Sequence, residues 1–164
     1  MIVLGVDPGS IVTGYGLVEK DGSNLTYIGG GDILLPRSWP FYLRVHGIFK
    51  SLIDIIQKHN PDEMSVEDIF FSKNVKSALK IGHARGAALV AATSCNLKVF
   101  EYSPLQIKQS VVGYGRATKE QVRDMVKLIL KLNDKDRLSF DTSDALAAAI
   151  CHQNWLKFDN IHNR

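Results

Sequence analysis

Four acidic residues occupy the places where an α/β chain can do chemistry. Asp7 closes the apolar run MIVLGVD, Glu67 closes the run EMSVE, and Asp141 and Asp144 stand at i and i+3 in DTSDALAAAI. That last spacing sets two carboxylates on one face of a helix's first turn. If the two runs are neighbouring strands, Asp7 and Glu67 project from the same sheet edge, and a helix packed there adds the other two. Carboxylates gathered in this way repel one another unless cations bind. Carboxylate oxygens with several retained waters suit Mg²⁺, and a pair of such ions suits in-line attack of water on a phosphodiester, one activating the water and the other stabilising the leaving oxygen. Each acid also has a plainer reading: Asp7 as a turn residue before Pro8-Gly9, Glu67 as an exposed strand-end charge, Asp141 as a helix N-cap and Asp144 as a dipole partner.

The cationic residues are segregated from these acids along the chain. Lys and Arg number 5 against 9 Asp and Glu in residues 1–68, 8 against 1 in 69–119, and 7 against 7 in 120–164, so a net charge of +3 hides a basic middle third. Lys73, Lys76, Lys80, Arg85, Lys108, Arg116 and Lys119 fall there, as candidate phosphate ligands around the acidic cluster or as solvated helix faces. Phe70 and Phe71 follow Glu67 by three and four residues. An aromatic beside such a site can stack on an unpaired base, with core packing as the alternative.

The elements that must position these residues follow from periodicity. Met1–Asp7, Thr13–Glu19 and Asn24–Gly30 read as three strands meandering antiparallel, the second and third joined by the Asp21-Gly22 turn. From Trp39 the apolar period becomes helical, through Phe41, Val45, Ile48, Phe49, Leu52, Ile55 and Ile56, until Asn60-Pro61. Glu63–Glu67 is a short strand with Met64 and Val66 on one face. A helix runs from Asn74 to about Ala92 with a small-residue stripe, Ala78, Gly82 and Gly86. Lys98–Tyr102 is the fifth strand. Ser103-Pro104-Leu105-Gln106 and Thr118–Gln121 are capping boxes that open two further helices, the first ending at Gly113. Asp141 to about Trp155 is the last helix. The order β-β-β-α-β-α-β-α-α-α predicts one α/β domain over residues 1–164, a mixed five-stranded sheet flanked by helices.

Composition narrows the functional classes. No apolar run reaches the roughly 18 residues of a membrane span, and no basic leader precedes the first strand, so a cytosolic protein away from membranes is expected. Cys95 and Cys151 have no metal or disulfide spacing and read as buried thiols. The five histidines suggest neither a zinc site nor a triad, and Ser10, Thr13 and Ser72 have no base partner in view.

Four stretches carry a family resemblance: LGVDPGSIVTGYGLV at 4–18, SVEDIFFSKNVKSALKIGHARG at 65–86, FEYSPLQIKQSVVGYGRATKEQV at 100–122 and DTSDALAAAI at 141–150. In this order, over nearly the whole chain, they resemble the RuvC-type Holliday junction endonucleases of the RNase H-like superfamily. The resemblance implies an RNase H-like sheet and a homodimer that binds a four-way DNA junction and nicks two strands symmetrically in recombination and repair. It implies Mg²⁺, with Mn²⁺ as a substitute and two ions per site, held by Asp7, Glu67, Asp141 and Asp144. On matching positions it places Lys108 and Lys119 near the scissile phosphate, Phe70 as the stacking residue, the small-residue helix at the two-fold axis, and a branch-migration complex of the RuvAB type as partner. Some members carry His where Asp141 stands.

Three rivals remain at this point. DPGSIVTGYG resembles the phosphate loop of sugar kinases and actin-like ATPases, but those bind nucleotide between two such domains and 164 residues hold one. A nuclease of the same fold acting on structured RNA would lack the VGYGRATK and FFSKN stretches. A non-catalytic DNA-structure binder would set an acidic cluster against phosphates with no return.

Overall fold

The computed structural model describes residues 1–68, 75–133 and 136–162, with side chains described as far as Trp155. The order is β1 (Ile2–Asp7), β2 (Val12–Asp21), β3 (Asn24–Leu34), α1 (Phe41–His59), β4 (Glu63–Glu67), α2 (Val75–Ser94), β5 (Lys98–Tyr102), α3 (Pro104–Val112), α4 (Lys119–Ile129) and α5 (Phe140–His162). The strands form a single mixed sheet in the order β3-β2-β1-β4-β5. β1 pairs antiparallel with β2 and parallel with β4, and β4 pairs parallel with β5. The expected α/β class, strand count and helix order are all present.

Alternation along the strands divides the core in two. Leu4 and Val6 of β1, Leu17 of β2 and Met64 of β4 bury against Ile48, Leu52 and Ile56 of α1 and the alanine face of α2, Ala84, Ala87, Ala88, Ala91 and Ala92. Val3 and Val18 point to the opposite face and pack with Ile107 and Val111 of α3, Val122 and Val126 of α4, and Leu146 to Cys151 of α5. Asp7 and Glu67, in phase with Val3 and Ser65, therefore lie on the face covered by α3, α4 and α5. This phase is what gives the acids helices for neighbours.

One local difference from the sequence reading matters. β3 does not stop at Gly30: its pairing with β2 continues through Tyr15↔Gly31 and Gly14↔Asp32 to Val12↔Leu34. Glycines that weaken a strand by propensity are held here because β2 supplies the ladder. The stripe of α2 does not serve intrachain packing, since a methyl group on Gly82 or Gly86 would meet open space. Elsewhere the expected caps form: Ser103 and Gln106, and Thr118 and Gln121, close reciprocal boxes, and Gly113 ends α3 in the left-handed region at φ 89°.

Candidate active site

α5 positions half the site by lying almost directly on the sheet. A Cβ on Gly5 would overlap the Ala145 carbonyl, and one on Gly14 would overlap the carbonyl of Asp141. These glycines, facing α5 from β1 and β2, let its first two turns approach closer than any side chain allows. Gly14 is also the register partner of Asp7. The backbone of Asp141 thus rests on the residue beside Asp7, and Asp144 follows on the same face one turn later. On the other side of Asp7, Val6↔Val66 is the last paired step of β1 and β4, so Asp7 and Glu67 end neighbouring parallel strands. Glu67 is itself paired with Tyr102 of β5.

The electrostatics record this convergence. Burial, followed by the charges of Asp144, Glu67 and Asp141, pushes Asp7 up to about 7 from its ordinary 3.8. Burial and Asp144 raise Glu67, and burial and Asp32 raise Asp141. Lys119 opposes all three shifts, and its Nζ donates to Asp144 Oδ2 at 2.9 Å. Lys108 lowers Glu67 as well. Glu67, Lys108, Lys119 and Asp144 line one open pocket of about 220 Å³ with Pro104, Ile107 and Val122. Glu67 and Asp144 thus share a solvent-reached pocket with two ammonium groups, and the charges of Asp7 and Asp141 are felt beside it.

The turn role of Asp7 and the cap role of Asp141 are taken by other residues. The turn after Asp7 is held by Thr13, whose hydroxyl donates to the Gly9 carbonyl at 2.8 Å and accepts from the Gly9 N–H at 3.2 Å. Ser139, not Asp141, caps α5, its Oγ accepting from the Thr142 N–H at 3.0 Å. Asp7 and Asp141 are left with no structural task that accounts for placing like charges together at a cost. Oxygen-only donors of this kind fit a hard divalent cation, and the ammonium of Lys119 already supplies positive charge among them. Among the described residues, no three His, Cys, Asp or Glu side chains converge as a ready-made ligand set. Asp7, Glu67, Asp141 and Asp144 are the residues that could hold such a cation.

The other candidates scatter more widely. Lys76 and Lys80 are exposed on α2, and Arg116 is exposed before α4. Arg85 faces inward: its guanidinium pairs with Glu101 and lies 3.7 Å from Asp68, tying α2 to the strand ends beneath Glu67. Phe70, Phe71, Ser72 and Lys73 lie outside the described residues. Tyr114 is exposed. His152 is buried, hydrogen-bonded to Tyr102 Oη at 2.6 Å and to Glu63 Oε2 at 2.7 Å, a structural use of a histidine. Cys151 is buried, which pushes its thiol up to about 11.

Comparison with known proteins places this geometry. Residues 3–152 match the family described as crossover junction endodeoxyribonuclease RuvC. The chain belongs to the RuvC family. It is 49% identical to the crossover junction endodeoxyribonuclease RuvC of Geobacter metallireducens over 161 residues, 98% of this chain and 97% of the relative. It is 50% identical to that of Geobacter sulfurreducens over 154 residues, 94% of this chain and 93% of the relative. Its fold superposes on T. thermophilus RuvC in complex with Holliday junction substrate with a TM-score of 0.90 at 34% identity, covering 97% of this chain and 96% of the other. RuvC proteins are metal-dependent endodeoxyribonucleases.

Several contributors to this site were not visible as such in the sequence. Gly5 and Gly14 read as strand residues, although glycines at alternate strand positions beside buried aliphatics are themselves a sign of close backbone approach. Ser139 stood in a polar stretch, three residues before Thr142, at a capping distance.

Proposed function

We propose that this RuvC protein resolves four-way DNA junctions by hydrolysing a phosphodiester in each of two strands, acting in homologous recombination and repair in the cytoplasm. The observation that carries the reading is the pocket lined by Glu67, Asp144, Lys108 and Lys119, with Asp7 and Asp141 coupled electrostatically to the same group. The carboxylates hold Mg²⁺ or Mn²⁺, two ions per site. Bound there, the metal supplies water activation and stabilisation of the leaving oxygen. Lys119 and Lys108, at the pocket's rim, accept the scissile phosphate and offset the charge that grows on it. Arg116, Lys76 and Lys80 contact phosphates farther along the arms, Lys73 is a further phosphate ligand and Phe70 the base-stacking residue, and Arg85 contributes by bracing α2 rather than by reaching outward. Phosphate contacts of this kind make binding fall steeply with salt.

Two strands require two sites. α2 presents an outward row of Val75, Leu79, Gly82, Gly86 and Val90, with Val75, Leu79 and Val90 at 72%, 58% and 55% exposure and open space over both glycines. Such a row suits a second copy of the same helix, so the working unit is a homodimer, served by a RuvAB-type branch-migration complex.

A synthetic four-way junction, a linear duplex and a structured RNA, each offered with Mg²⁺, test the reading. Paired nicks confined to the junction are expected. Cleavage of the RNA in preference would transfer the site to the structured-RNA alternative. Sedimentation should give a dimer that Leu79→Glu converts to monomer, and a wild-type monomer at working concentration would remove the paired-nick geometry.

A further inference from the structure

Asp32 lies on β3 opposite Gly14, which in turn lies opposite Asp7, so one row across the sheet runs Asp32, Gly14, Asp7. Its Oδ1 accepts two hydrogen bonds from the start of α5, from Ser139 Oγ at 2.7 Å and from Thr142 Oγ1 at 2.7 Å. Ser139 Oγ in turn accepts the Thr142 N–H at 3.0 Å, and the Ser139 carbonyl accepts the Ser143 N–H at 3.0 Å. The serine hydrogen is committed to Asp32, which aims the oxygen lone pairs at Thr142. Cap and clamp are therefore one connected ring, and charge-assisted bonds are its strong members. Asp141 sits inside the ring's span, between Ser139 and Thr142, with its carbonyl against Gly14.

We propose that Asp32 is a positioning residue for the nuclease reaction, fixing the first turn of α5 to the sheet through its Oδ1 and so setting where the Asp141 carboxylate stands relative to Asp7. A glycine floor alone limits how near α5 comes but not how far it slides or frays. Helix ends fray readily, and the hydrogen bonds of Asp32 to Ser139 and Thr142 tie the one that carries Asp141 to the sheet, while Lys119 and Arg123 tie it to α4. Asp32 acts by geometry: an acceptor oxygen at that place keeps the clamp, and its negative charge strengthens the two bonds without being required for them. Gly30 makes room for the tie, its Cα facing Thr142 Cγ2 closely enough that a Cβ would come within 3.1 Å.

The inference rests on the junction-nuclease reading, and the experiment separates the two. Single-turnover cleavage of a four-way junction with Mg²⁺, and junction affinity measured without metal, are compared for wild type, Asp32→Ala, Asp32→Asn and Thr142→Val. If wild type leaves the junction uncut, the functional reading fails. With wild type active, Asp32→Ala is expected to cut roughly 10- to 100-fold more slowly, the scale of an ångström's misplacement of a reacting group. Junction affinity should stay within about two-fold. Asp32→Asn, which keeps the acceptor and removes the charge, should recover to within a few-fold of wild type. Thr142→Val should slow cleavage in the same direction as Asp32→Ala, and the double variant should be less impaired than the product of the two. A wild-type rate in Asp32→Ala overturns the proposal, as does an Asp32→Asn rate no better than Asp32→Ala, or a loss of junction affinity equal to the loss of rate. Should Asp32→Ala fail to fold, Thr142→Val decides alone: slower cutting with unchanged affinity supports the clamp, and a wild-type rate refutes it.

Discussion

Replacing Asp7 by Asn should stabilise the metal-free protein while abolishing its nuclease activity. In the folded state Asp7 titrates near 7, raised from an ordinary 3.8 by burial and by Asp144, Glu67 and Asp141. A raised carboxyl binds more protons folded than unfolded between those two values, so stability falls as pH rises from about 4 to about 7 and stays low above. Three pKa units at 1.36 kcal/mol each set the penalty at about 4 kcal/mol at pH 8, an upper figure for a single group. Asn removes the charge at nearly constant shape and should return a large part of that penalty. For a domain of this length each kcal/mol is worth roughly 2–4 °C in melting temperature. Melting in EDTA from pH 5 to 8 checks it: wild type should lose stability with rising pH, and Asp7→Asn should follow a flatter curve that lies above it at pH 8. Adding Mg²⁺ at pH 8 should raise the wild type and leave Asp7→Asn nearly unmoved. A wild-type melting temperature independent of pH in EDTA, with Asp7→Asn no more stable at pH 8, would refute the claim that the carboxylates crowd one another.

Lys119→Ala removes a cation that lowers both Asp7 and Glu67, so the acidic limb of the pH–rate profile should move to higher pH and cleavage should suffer more at pH 7 than at pH 9. Its side chain is 65% exposed, so the stability change should stay below about 1 kcal/mol; an unmoved profile would detach Lys119 from the carboxylates. Gly5→Ala sets a methyl group against the Ala145 carbonyl, which is backbone and cannot rotate away, and should cost at least about 1–3 kcal/mol in urea denaturation with a fall in cleavage as α5 is lifted from the sheet. A Gly5→Ala protein as stable and as active as wild type would mean that α5 has slack.

How much of this was legible beforehand depends on the range of the interaction that decides each feature. The five strands, five helices and both capping boxes are set by periodicity and by contacts three or four residues apart, and they stand where the sequence put them except that β3 runs on to Leu34 and α5 to His162. The acids were legible for a related reason: a carboxylate at the end of an apolar strand, or paired at i and i+3 in a helix, breaks the local pattern and has to be accounted for. Asp32 broke no pattern. It followed Gly29-Gly30-Gly31, where intrinsic preference ends a strand, and β3 continues only because β2 lies alongside to Leu34. Its partners Ser139 and Thr142 are more than a hundred residues away. Local chemistry in the sequence thus reveals which groups react, whereas the groups that hold them in place owe their roles to tertiary pairing. The same distinction explains α2, where a small-residue stripe was visible but its direction was not: only the packing of Ala84, Ala88 and Ala91 in the core shows that Gly82 and Gly86 are turned outward.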